Sequence, residues 1–221
     1  MKHQFIDLSH TIEDGLISYK GLPAPIICDY ISREASKQLY DGDTTFQIDK
    51  IEMVGNTGTY IDCPLHRYAH GKDFTEIGLA ALADLEGIKI IVPYQKQLAV
   101  TLEEVSKYDV NGKAVLIQTN WSAHWNTELY YENHPFLTEA AAIYLRDNGA
   151  KLVGIDSHNM DDTRTRMRPA HTVLLGANIL VVEHLCNLDA IPAEGFLFSA
   201  VPPKVKGMGT FPVRAMAKVS L

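Results

Sequence analysis

The sequence predicts an α/β fold, with residues 1–221 forming one domain around a mixed sheet that contains βαβ units. Two observations carry that prediction. The second half of the chain alternates strand-length apolar runs with helical patterns, and strand-like runs flank it on both sides. A third, the 46% hydrophobic content of 221 residues, supplies one sizeable core without requiring two.

Taken in order, "FQIDKIEMV" (46–54) alternates imperfectly and leads, as a strand feeding a turn, into the glycine-rich "GNTGTYIDCPLHRYAHG" (55–71). "GIKIIV" (87–92) reads as a buried strand, and "TLEEVSKYD" opens with Thr101 and Glu104 in capping-box spacing. "AVLIQT" (114–119) is the next strand. "TEAAAIYLRDNGA" is a helix capped by Thr138 and ending near Gly149, and "KLVGID" (151–156) is a third strand. "AHTVLLGAN" gives a short helix stopped near Gly176, and "ILVVEHL" a fourth strand. This rhythm implies adjacent parallel strands. "GFLFSAVPPKVKG" and "FPVRAMAKV" add two more strand-like runs.

A formal net charge of -7 argues against nucleic acid and anionic membrane as partners, because counterion release from phosphate needs a basic face. No run approaches the roughly 20 apolar residues of a membrane span. Asp7, Glu13 and Asp14 interrupt any signal-peptide core near the start, so a cytoplasmic protein is expected. Cys28, Cys63 and Cys186 lie far apart without a CxxC pair and read as small buried thiols.

The chemistry concentrates in a few positions. Asp156 and Glu183 fall at the carboxyl ends of expected parallel strands, where open α/β sheets place their ligands. A glutamate directly after "ILVV" is costly to bury unless it is paired or bound to a cation. Asp62 and His66 stand four apart with Pro64 between them, which disfavours a helix but lets a turning backbone aim both inward. With His171 and Glu183 they offer carboxylate and imidazole ligands suited to Zn²⁺ or Mn²⁺. Asn56 sits in "GNTG", where a turn residue is equally expected. Trp121, Trp125, Tyr130 and Tyr131 read as core or pocket wall. Arg164, Arg166 and Arg168 read as a solvated cluster or as carboxylate binders. His70 and His158 read as loop supports or substrate neighbours.

The 55–71 stretch resembles the H-x-G-T-H-x-D-x-P-x-H signature of the cyclase family that includes bacterial kynurenine formamidase and isatin hydrolase. "DLSHTIEDGLISYKGLPAP", "GIDSHNMDD", "HTVLLGANILVVEHLCNLDAIP" and "GFLFSAVPPKVKGMGTFPVRAMA" resemble further family blocks in the same order, so the resemblance covers nearly the whole chain. Gly58, Thr59, Asp62, Pro64 and His66 match the signature, while its first two histidines are Asn56 and Tyr60 here. The resemblance implies a swivelling β/α-type fold. It also implies one divalent ion, Zn or Mn, held by Asp62, His171 and Glu183, the second family ion having lost two ligands. By the same resemblance His66 acts as acid/base. Asn56 and Tyr60, which replace the family's histidines, are hydrogen-bonding groups expected to orient a substrate carbonyl or stabilise an oxyanion, Tyr60 as a catalytic group, and Arg67, adjoining His66, is expected to face the substrate. The implied function is hydrolysis of an amide or ester-type acyl bond in a small molecule, an N-formyl arylamine, cyclic imide or lactone, by a homodimer or homotetramer. The alternatives are a metal-free isomerase, dehydratase or lyase using the same pocket, and a non-catalytic ligand binder.

Overall fold

The computed structural model describes residues 2–220. Its strands are β1 (His3–Asp7), β2 (Ile26–Ile31), β3 (Ile48–Glu52), β4 (Tyr60–Asp62), β5 (Leu85–Ile91), β6 (Ala99–Val100) and β7 (Ala114–Gln118). They continue as β8 (Phe136–Leu137), β9 (Leu152–Ile155), β10 (Leu180–Glu183), β11 (Glu194–Ser199), β12 (Thr210–Pro212) and β13 (Met216–Ser220). The α-helices are α1 (Arg33–Ser36), α2 (Leu102–Val105), α3 (Glu139–Asp147) and α4 (Pro169–Gly176).

Nine strands form one mixed sheet in the order β1-β13-β11-β5-β7-β9-β10-β4-β12. Its centre, β5-β7-β9-β10, is parallel, and antiparallel pairs close both flanks. Of the four central strands, β7, β9 and β10 are buried along their whole length and lack polar alternation because both faces are covered, whereas β5 exposes Glu86 and Ile91. In β7, Val115 and Ile117 join the core beneath α3 and α4, whereas Ala114 and Leu116 join a second core with Phe196, Phe198 and Ala217. Helix boundaries follow their caps. Glu104 accepts the Thr101 backbone N–H at 3.0 Å, and the Thr138 hydroxyl accepts from Ala141 N–H at 3.4 Å.

The first third departs from the reading of the sequence. β3 does not feed the main sheet; it pairs with β2 in a separate two-stranded ribbon. Within the glycine-rich stretch, β4 is itself a strand, wedged between β10 and β12, so its ladder is supplied from both sides although it is three residues long. "FPVRAMAKV" divides between β12 and β13, and Cys28 is exposed on the ribbon whereas Cys63 and Cys186 are buried. Among the described residues no helix is long and apolar enough to cross a membrane.

Candidate functional site

Strand parity assembles the site. In the β4–β10 ladder Tyr60 lies opposite Glu183 and Asp62 opposite Val181, so Tyr60, Asp62 and Glu183 share one face. Helix α4 packs over that face and sets His171, its third residue, above the strand ends. His171 Nε2 lies 3.5 Å from Asp62 Oδ2 and 3.5 Å from Glu183 Oε1. All four side chains are buried.

Each group is oriented by a neighbour. The Asp161 carboxylate lies 2.6 Å from His171 Nδ1 and accepts the Ala170 and His171 backbone N–H groups, which fixes the ring and directs Nε2 at the two acids. Thr210, opposite Asp62 on β12, donates its hydroxyl proton to Asp62 Oδ1 at 2.5 Å. The Thr210 Oγ1 itself lies 2.7 Å from His66 Nδ1. Its proton being spent on Asp62, Thr210 accepts from His66 Nδ1–H, which leaves the lone pair of a neutral imidazole on Nε2. This contact requires Gly209, since a Cβ there would stand 2.5 Å from the His66 backbone nitrogen.

Tyr60 is fully buried and donates its phenol to Glu183 Oε2, while Met160 N–H donates to Oε1. Burial and the charges of Glu183 and Asp62 hold the phenol pKa well above its usual value, so Tyr60 remains a donor. Burial pushes Glu183 up to about 7, against the pull of His171. Burial alone would lower His171, but the Glu183, Asp161 and Asp62 carboxylates outweigh it and hold the imidazole at about 10. The pocket therefore favours positive charge at His171 Nε2.

Asp62 Oδ2 has no hydrogen-bond partner although its residue is fully buried. Two ligands about 2.1 Å from one ion stand at most ~4.2 Å apart. The 3.5 Å spacings about His171 Nε2 meet that limit, and the N/O donor set suits Zn²⁺ or Mn²⁺. Asp62 and His171 thus fit a divalent cation, whereas Glu183 meets the limit toward His171 alone. Ligand atoms that all lie within 4.8 Å of one another come from Asp62, His66 and His171, a group that leaves Glu183 outside.

Asn56, Tyr60, His66, Arg67, Arg168 and His171 line a cavity of ≈ 200 Å³ at this point, and Glu183 reaches it as well. Of the other residues singled out in the sequence, His70 is exposed. Asp156 is buried and occupied in accepting Thr119 and Asn120 backbone N–H groups, so it shapes a loop. Trp121 and Tyr130 are core, and Trp125 stacks on His10 at 3.9 Å. Arg164 pairs with Asp162 at the surface. Asp161 and Thr210 went unremarked in the sequence because they act through contacts with His171 and Asp62 that residue spacing does not register.

Beneath the site His158 and His184 pack together with ring centroids 5.7 Å apart. Burial first, then neighbouring positive charge from each other and His134, holds His158 down at about 2; burial holds His184 at about 3. Between about pH 6.5 and these values the unfolded chain binds protons that the folded chain refuses, so each histidine lowers stability as the pH falls. Replacing His158 by phenylalanine, which keeps the aromatic packing, should flatten the acid limb by about 1.4 kcal/mol per pH unit between pH 6 and 3. Urea unfolding of both proteins at pH 5 and 4 measures the difference. Carboxylates such as Asp156, held up at about 6 by burial, contribute equally to both proteins and cancel.

Residues 6–162 match the model of the Cyclase family. Kynurenine formamidase of Geobacillus thermodenitrificans is 29% identical over 170 residues, 76% of this chain and 78% of that protein. Isatin hydrolase A of Labrenzia aggregata, bound to benzyl benzoate, superposes with a TM-score of 0.85 at 20% identity, covering 99% of this chain and 94% of the other. A structure described as a potential metal-dependent hydrolase with cyclase activity gives 0.79 at 24% identity, with all of both chains covered. The two structural likenesses establish the fold.

Proposed function

The chain belongs to the Cyclase family, and from that premise we propose that it is a metal-dependent hydrolase cleaving an amide or ester-type acyl bond of a small molecule, with N-formyl arylamines, cyclic imides and lactones as candidate substrates. The observation that carries this reading is the unpartnered Asp62 Oδ2 aimed at His171 Nε2. The named activities of the kynurenine formamidase and isatin hydrolase relatives support the reaction class.

Asp62, His171 and Glu183 hold one divalent ion, Zn or Mn, which when bound supplies Lewis-acid polarisation of the acyl carbonyl and acidifies water. His66 Nε2, carrying the lone pair, takes the proton from water as its oxygen attacks the acyl carbon, and returns that proton to the departing nitrogen as the C–N bond breaks. Asn56 donates from the cavity wall to the carbonyl oxygen as it gains charge. Tyr60, its proton given to Glu183, holds that carboxylate in place; direct donation by Tyr60 to substrate requires that bond to break.

A second reading is favoured by the tighter grouping of Asp62, His66 and His171, in which His66 is a ligand and the proton carrier lies elsewhere. His66→Gln separates the two: metal content stays near one ion per chain while kcat collapses if His66 carries the proton, and falls with kcat if it is a ligand. The function itself is tested by metal analysis of protein purified without chelator and by formate release from an N-formyl arylamine. Turnover untouched by EDTA, with under about 0.2 ion per chain, removes the metal and leaves the same residues as a metal-free acid/base enzyme; a stoichiometry near one supports a held cation.

The cytoplasm is the proposed location. A second copy of the chain is the proposed partner of the β2–β3 ribbon, in a homodimer or homotetramer. Every ribbon residue except Ile31 is exposed, and an isolated hairpin is marginally stable in water. Ile27 and Ile51 face each other across it, both exposed. Replacing both with lysine should cut the mass seen by light scattering by about half or more, to that of a smaller assembly or single chain, because two charges then sit in the buried seam.

A further inference from the structure

The cavity has a cationic wall that bond cleavage leaves unused. Arg67 follows His66, Arg168 precedes α4, and both line the cavity that holds His171 and Glu183. Among the described residues neither makes an ion pair, whereas Arg146, Arg164 and Arg214 pair with Asp147, Asp162 and Asp7. Arg67 spends only Nε, on Thr172 Oγ1 at 3.1 Å. Arg168 uses Nη1 on the Asp162, Thr165 and Met167 carbonyls, at 3.5, 2.8 and 2.7 Å, and its charge stands beside the Tyr19 phenol. A guanidinium carries five N–H donors, so most of each fork remains for a ligand.

The charges are also segregated. Glu183 makes one end of the cavity acidic, with Asp62 buried behind it, and Arg67 with Arg168 stand on its wall without acidic partners. An unpaired guanidinium in a small polar cavity is matched best by a planar anion that accepts two parallel hydrogen bonds.

The geometry points to a substrate that carries a carboxylate in addition to its scissile acyl bond, with Arg168 and Arg67 as the specificity-determining pair. This rests on the hydrolase reading only for which bond is cut. The bound molecule lies with its acyl carbon toward His66 and His171 and its carboxylate toward the two arginines. A neutral analogue of the same shape leaves those donors unmatched and binds more weakly.

Two arms test this on the metal-loaded full-length protein. In the first, formate release is compared for 2-formamidobenzoate and the uncharged 2-formamidobenzamide. The acid should be favoured about 10–100-fold in kcat/KM, mainly through KM, and the preference should fall to about threefold or less in Arg168→Met. In the second, calorimetry compares benzoate with benzamide, and benzoate should bind at least about tenfold tighter in the wild type alone. Arg67→Met serves as the second variant, because Arg67 is exposed and its loss leaves the Arg168 loop contacts in place.

A benzoate preference below about threefold in the wild type, or one unchanged in both variants, overturns the proposal. So does tighter binding of inorganic phosphate than of benzoate, which would make the site a phosphate cradle. If neither formamide is cleaved while benzoate binding still depends on the arginines, the hydrolase reading falls and the carboxylate site stands.

Discussion

Asp62→Asn should lower kcat/KM by about 10³-fold or more and reduce metal content from about one ion per chain to less than about 0.2. The amide keeps the size of the side chain and can still accept the Thr210 hydroxyl proton, so the ladder between β4 and β12 is left intact. It removes the charge on Oδ2, the oxygen that meets His171 Nε2 and has no hydrogen-bond partner. Losing even a residue that merely orients a ligand costs roughly 10–100-fold in metal affinity, and loss of a charged ligand exceeds that. Stability should move the other way. A buried carboxylate without a hydrogen bond on one oxygen is costly, and in chelator-treated protein its neutral replacement should hold stability constant or raise it by about 1–3 kcal/mol. A variant that melts no earlier than wild type yet neither binds metal nor turns over is the signature of a functional acid. Wild-type turnover in Asp62→Asn would sink both the metal site and the role of this strand.

The sheet was legible where burial is symmetric and obscure where it is not. β7, β9 and β10 are covered on both faces, so they appear as apolar runs broken only at their ends, and Thr101, Glu104 and Thr138 mark helix starts through local hydrogen bonds. β4 is invisible to such a reading because Tyr-Ile-Asp is too short for any period and owes its conformation to β10 and β12, more than a hundred residues away. The β2–β3 ribbon fails for the opposite reason: with nearly every position exposed, no alternation distinguishes its faces. Within the site, Asp62, His171 and Glu183 were readable because costly residues sit at strand ends and in a polar cluster. Asp161 looked like one of several loop acids until α4 carried His171 onto it, and Thr210 lies 148 positions from the aspartate it bonds. Arg164, Arg166 and Arg168 are equivalent in sequence. The fold pairs the first with Asp162 at the surface and turns the third into the cavity.

Tyr60→Phe should weaken metal binding by about 10–100-fold, measured by competition with a chelator, while turnover at saturating metal falls far less. The substitution deletes one oxygen, the donor to Glu183 Oε2, and leaves the fully buried ring in the core. Glu183 then keeps only the Met160 N–H, on Oε1, and its other oxygen loses its protein donor. An unsatisfied buried acceptor costs about 1–3 kcal/mol, so the carboxylate will rotate toward any donor it can find, and His171 Nε2 at 3.5 Å is the nearest charged one. That rotation draws Glu183 into a closed ion pair with His171 and takes from the cation two of its ligands. Because the loss is one of orientation, saturating metal should recover most of the rate. If Tyr60 were itself the oxyanion donor, metal affinity would hold and kcat would fall about 10²–10³-fold. Affinity and kcat therefore move in opposite patterns under the two roles, and one titration of Tyr60→Phe with activity followed at each metal concentration decides between a phenol that holds Glu183 and a phenol that touches substrate.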